Sequence, residues 1–196
     1  MSNCTAFAGP RKIASGDVIQ VALKVKRHQE KDGNAAILIF DDLTSRQVEL
    51  DLRGTADAII KRLQLASRVT EAAAEMGEDK KVGPGRPKLG VVSREISLLP
   101  RHWEWLAQQP GGASVTLRKL VEEAKKKNQG KDEFRQAQEV AYKFMSVMAG
   151  DLLGFEEALR AFYAKDALKF EKLIAPWPKD IRAHVLKLAI NALERK

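Results

Sequence analysis

Cysteine occurs once in the 196 residues, as Cys4. No disulfide can close within the chain, and no cysteine pair is present to hold zinc. The longest uncharged apolar runs, such as Ala35–Phe40, fall far short of the ~20 residues that span a bilayer. The opening Met1-Ser2-Asn3-Cys4-Thr5 lacks the basic region and apolar core of a signal peptide, so the expected location is the cytoplasm. The three histidines, His28, His102 and His184, stand far apart. There is no Gly-x-Ser-x-Gly elbow and no glycine loop followed by Lys-Ser/Thr. These absences argue against an enzyme, and the expectation is no catalytic residue, no metal and no cofactor. Asp41-Asp42 with Asp51 could clamp a cation, but a turn with solvated carboxylates is the simpler reading. His102, beside Trp103 and Trp105, reads as a packed or capping residue, and of the two tryptophans one is expected in the core and one partly exposed.

Positive charge is what the sequence has in excess. The net charge is +8 with a pI near 9.6, which favours polyanionic partners. The excess is local. Between Gly77 and Lys131 stand twelve cations and six anions, so about a quarter of the chain carries +6 of the total. Apolar residues make up 44%, enough for a packed core.

Hydrophobic periodicity divides the rest. Thr5–Gly9 is a short strand candidate. Asp17–Arg27 places Val18, Val21, Ala22 and Val25 at helical spacing behind a Ser15 or Asp17 cap. Ala35–Phe40, a turn at Asp41–Ser45 and the alternating Gln47–Leu52 predict a hairpin. Thr55 caps a helix reaching Met76. Residues 1–76 therefore read as an α+β module with about three strands. Residues 77–90 form a basic Gly/Pro linker, and 91–127 a short strand followed by two helices, Arg101–Gln109 and Ser114–Lys127. Asn128-Gln129-Gly130 is expected to break the second helix. Residues 132–196 read as helical, with a stripe of Phe134, Ala137, Val140, Ala141, Phe144, Met145 and Met148. Short helices follow at Gly154–Ala164 and Ala167–Ile174, then a turn at Pro176-Trp177-Pro178 and a last helix over Asp180–Leu193. The fold class is α+β, mostly helical.

Two motifs give the basic stretch a chemistry. Gly85-Arg86-Pro87-Lys88, with Lys80-Lys81 upstream, resembles the core of an AT-hook. The resemblance implies an extended arm whose Arg86 enters the narrow minor groove of A·T-rich DNA while lysines meet phosphates. Pro84 stands where the fuller motif has a second arginine, and a basic Pro/Gly linker is the alternative reading. Ser93–Ala124 resembles a ribbon-helix-helix unit, in which strands from two subunits pair and enter the major groove. The resemblance implies a homodimer and puts Ser93, Glu95 and Ser97 at base edges. Arg94 takes that place if the register differs by one. Val92, Ile96, Leu98, Trp103, Leu106, Leu117, Leu120 and Val121 would form its core. Ser114 would cap the second helix beside a phosphate. A helix-turn-helix from the same two helices, and a plain helical hairpin, are the alternatives.

Over nearly its whole length the chain also resembles an uncharacterised bacterial family, a domain of unknown function. The resemblance rests on Gly85-Arg86-Pro87, Leu99-Pro100-Arg101-His102-Trp103-Glu104-Trp105-Leu106 and Gln109-Pro110-Gly111-Gly112-Ala113-Ser114. Met148-Ala149-Gly150-Asp151 and Phe155-Glu156-Glu157-Ala158 extend it. It implies bacterial origin and one common architecture, with no activity attached.

The expectation is a cytoplasmic, nucleoid-associated double-stranded DNA-binding protein, a transcriptional regulator or nucleoid-associated factor, with no membrane contact. Arg86 would read the minor groove, and Lys80, Lys81, Lys88, Arg101, Arg118 and Lys119 would meet phosphates. The rival is a protein-interaction, adaptor or antitoxin-like module that docks an acidic partner.

Overall fold

The computed structural model describes residues 3–32, 36–76, 92 and 94–193. Residues 1–70 and 133–196 form one compact unit, and residues 71–132 form a second.

The first unit is built on a three-stranded antiparallel sheet of order β2-β1-β3, with β1 Asn3–Ala8, β2 Arg11–Asp17 and β3 Ile37–Asp41. In the central strand Cys4, Thr5, Ala6 and Phe7 are all buried. Period-two alternation sends Cys4 and Ala6 to one face, against Val21 and Val25 of helix α1 (Val18–Lys31), and Phe7 to the other. Asp17 caps α1, its Oδ1 accepting from the Ile19 N–H at 2.9 Å. The strand β2 is absent from the sequence reading because Lys12, Ser15 and Gly16 carry no strand pattern. It holds an edge, and edges tolerate such residues. It reaches β1 through a turn in which Gly9 takes φ +53°, a conformation glycine adopts at little cost.

The expected hairpin of Ala35–Phe40 with Gln47–Leu52 forms only as a stub. The Asp41 carboxylate caps the turn, accepting from the Leu43 and Thr44 N–H groups and the Thr44 hydroxyl. One bridge, Phe40 to Gln47, follows, and the chain then leaves the ladder. Val48, Leu50 and Leu52 instead lie against the core on the α1 side, so their alternation marks a covering segment. Helix α2 runs Ala56–Met76, with the Thr55 hydroxyl accepting from Ala58 N–H.

The other sheet face meets the C-terminal helices, so the two ends of the chain share a core. Phe7 and Phe40 pack with Phe144, at ring-centroid distances of 5.3 and 5.0 Å. Helices α5 (Phe155–Tyr163), α6 (Ala167–Ile174) and α7 (Lys179–Leu193) add Phe162, Phe170, Ile174, Ile181 and Val185. The turn before α7 holds Trp177 buried, its indole N–H donating to the Leu153 carbonyl at 3.1 Å. His184 of α7 is also buried, against Phe144 and Phe7. Cys4 is buried. Burial, with Asp41, Asp42 and Asp17 nearby, pushes its thiol up to about 11, which leaves it unreactive.

Helix α3 spans Pro100–Ala107, and α4 runs unbroken over 37 residues, Gly112–Met148. The expected break at Asn128-Gln129-Gly130 does not occur. One interior glycine costs about 1 kcal/mol, which the long helix-forming runs on both sides outweigh. Beyond it, Ala141, Phe144 and Met145 are buried on the expected stripe. No helix of the described residues is long and apolar enough to cross a membrane.

Candidate nucleic-acid interface

The second unit carries the basic excess. Lys80, Lys81, Arg86, Lys88 and Ser93 fall outside the described residues, and with them the AT-hook-like arm. Residues 94–99 have no assigned strand. A ribbon strand draws its ladder partner from a second chain, so one chain alone leaves it without a ladder. Arg94, Glu95 and Ser97 are exposed along this segment. Leu99 is extended, at φ −64° and ψ 147°, and Pro100 opens α3, where its fixed φ suits the first helical position.

Helix α3 is two turns long and buries one side chain, Leu106. Trp103 and Trp105 flank it and stay 41% and 49% exposed, so neither is the expected core residue. His102 is exposed too, not packed. The turn into α4 requires glycine at 111, where φ is +85° and a Cβ would stand 3.2 Å from Val115. Helix α4 then begins at Gly112, two residues before Ser114, so Ser114 lies inside the first turn instead of capping it. Its hydroxyl accepts from Arg118 Nη2 at 3.0 Å, while Arg118 Nε donates to the Ser114 carbonyl.

The cations are the feature the elements organise. Arg94, Arg101, Arg118, Lys119, Lys125, Lys126, Lys127 and Lys131 are all exposed. None takes part in an ion pair among the described residues. Successive helical residues are turned by about 100°. Arg118, Lys119, Lys125 and Lys126 therefore share one sector of α4 about 120° wide, with Glu122 inside it. Lys127 and Lys131 project from the opposite side. Lys125 and Lys126, which enter the sequence analysis only through the charge excess, fall in this sector because two helical turns bring them back under Arg118 and Lys119.

The apolar residues of this unit are mostly open. Ile96 is 53% and Val121 60% exposed, and Val92 and Leu120 are exposed as well. Leu98 and Leu117 are half-buried. Elsewhere, Asp41 serves its turn and Asp51 pairs with Arg53 and Arg62. Among the described residues no cluster of three His, Cys, Asp or Glu side chains could hold a metal ion.

A family model described as an uncharacterized protein conserved in bacteria (DUF2239) matches residues 3–189. No curated protein and no solved structure matches the chain.

Proposed function

The chain belongs to this family of uncharacterised bacterial proteins, and from that premise we propose that it binds double-stranded DNA, without catalysis, as a transcriptional regulator or nucleoid-associated factor in the cytoplasm. The observation that carries the reading is the set of eight exposed cations between Arg94 and Lys131, none spent on an ion pair among the described residues. Free cations can exchange the counterions of phosphates for themselves, and that exchange is the main source of affinity for a duplex. In this reading Arg101, Arg118, Lys119, Lys125 and Lys126 meet the backbone. Arg94, Glu95, Ser97 and Ser93 are the candidates for base edges. Arg86, with Lys80, Lys81 and Lys88, reaches the minor groove of A·T-rich sequence.

A homodimer completes the reading. Of the eight residues a ribbon-helix-helix core would enclose, Leu106 is buried, Leu98 and Leu117 are half-buried, and Val92, Ile96, Trp103, Leu120 and Val121 are exposed in one chain. A second copy would cover them and supply the missing ladder partner. The same exposed tryptophans favour the second reading, a protein partner with an acidic face.

A gel-shift titration of the full chain separates these. It compares an A·T-rich duplex, a G·C-rich duplex and an RNA of equal length, for wild type and Arg86→Ala. Tight duplex binding with A·T preference that Arg86→Ala abolishes supports the proposal. Failure to bind any of the three near 0.1 M salt, roughly the ionic strength at which surface charges begin to be screened, would sink it.

A further inference from the structure

Helix α1 carries a second set of cations, in the unit of residues 1–70 and 133–196. At about 100° per residue, Lys24, Arg27 and Lys31 fall in one sector about 60° wide and form a row about 10 Å long. All three are exposed. None takes part in an ion pair among the described residues. The acids around α1 are engaged elsewhere. Asp17 caps the first turn. Glu30 lies outside the sector and pairs with Lys26 at 3.4 Å. Lys26 is turned about 130° from the middle of the row. It is also the residue that meets the covering segment, donating to the Leu52 carbonyl. On that segment Asp51 is taken by Arg53 and Arg62. Asp32 follows at the C-cap, and counting it against the row still leaves two positive charges.

A solvated helix face does not account for this row. Such faces mix signs, as Glu139 with Lys143 and Glu157 with Arg160 do in this chain. Here Lys24 and Arg27 repel at i,i+3, and Arg27 and Lys31 at i,i+4, which weakens the helix. The helix dipole favours cations only within the last turn. That covers Lys31 and the half-buried His28, not Lys24 or Arg27. A membrane surface does not fit either. An interfacial helix needs its apolar face free, and Val21 and Val25 are buried against the sheet. A straight row of like charge does suit a nucleic-acid backbone. One strand of a duplex carries a phosphate per about 3.4 Å of axis, so about three phosphates pass along the row.

We propose that Lys24, Arg27 and Lys31 form a second contact for the phosphate backbone of duplex DNA. The proposal rests on the reading of the chain as DNA-binding and adds a face outside residues 94–131. The contact is electrostatic and indifferent to base sequence.

Anisotropy of a fluorescein-labelled duplex, titrated with the full chain over a range of salt, tests it. The row variant is Lys24→Gln with Arg27→Gln and Lys31→Gln. The control is Lys169→Gln with Lys172→Gln and Lys179→Gln, which removes the same charge from exposed positions of α6 and α7. The row variant should lower the salt slope by about 2 and weaken A·T-rich and G·C-rich duplexes evenly. The control should lower the slope by less than about 1. Circular dichroism should show both variants folded, since every substituted side chain is exposed. A steep slope that the row variant leaves unchanged would overturn this contact and leave the DNA reading standing. An equal fall in the control would reduce the effect to net charge and overturn it too. A row variant that loses affinity only for poly-L-glutamate would assign the row to an acidic protein instead. A slope near zero for wild type would overturn the DNA reading and this contact with it.

Discussion

His184 makes the stability of the protein depend on pH in a calculable way. The imidazole is 5% exposed, with ring centroids 4.4 Å from Phe144 and 5.4 Å from Phe7. Burial pushes its pKa down to about 4. Asp42 opposes that shift, and Lys187 and Lys12 add to it. An unfolded histidine titrates near 6.5. Above that pH the ring is neutral in both states and its contribution is fully present. As pH falls through 6.5 the unfolded chain takes the proton first, and stability drains away until the folded pKa near 4 is reached. The separation of about 2.5 units is worth at most about 3 kcal/mol, of which about 2 kcal/mol is gone by pH 5. Urea unfolding followed by far-ultraviolet circular dichroism, between about pH 7.5 and pH 4.5, measures the loss. Carboxylates also titrate in this range, so the test is the difference from His184→Phe, which keeps the ring contacts and removes the proton site. Wild type should lose about 2 kcal/mol more than the variant between pH 7.5 and pH 5. Parallel curves for the two proteins would show that His184 is solvated in the folded state and refute the reasoning.

Four further outcomes follow from the packing and charge. Phe144→Ala removes a fully buried ring that touches both Phe7 and Phe40 and should cost about 3–5 kcal/mol in a urea melt. Asp17→Ala removes the cap of α1, with an expected loss of about 1 kcal/mol by the same assay. Gly111→Ala forces a side chain into a left-handed conformation against Val115. It should destabilise the α3–α4 turn by about 1–2 kcal/mol, read as faster amide exchange there. Lys119→Gln with Lys126→Gln should lower the salt slope of duplex binding by about 2. Lys127→Gln with Lys131→Gln, from the other side of α4, should lower it by less than about 1.

Helices with a strong stripe and a cap were legible in the sequence. Val21, Ala22 and Val25 behind Asp17 give α1, and Ala141, Phe144 and Met145 give the buried stripe of α4. Ala167–Ile174 is found with the bounds expected of it. What failed was local reasoning about signals that tertiary context overrules. Gly130 reads as a breaker, yet its cost is small beside a helix of 37 residues. Gln47–Leu52 alternates like a strand because it covers a core. The edge strand β2 shows almost no pattern because an edge demands little of its side chains. That Phe7 and Phe144 share one core is a contact across 137 positions, which periodicity cannot report. At the candidate interface the local charge excess was plain, and the shared sector of Arg118, Lys119, Lys125 and Lys126 was legible too, since all four lie within the expected Ser114–Lys127 helix.

The proposed function rests on the exposed cations of residues 94–131 and the basic arm binding a DNA duplex through its phosphates. The most direct measurement is the affinity of the full chain for a fluorescein-labelled duplex, by anisotropy, as a function of salt. With about six phosphates engaged, log K against log salt should fall with a slope of about −5, and affinity should drop about 10³-fold between 50 and 200 mM. A slope near zero, or no anisotropy change at the lowest salt, would contradict the account.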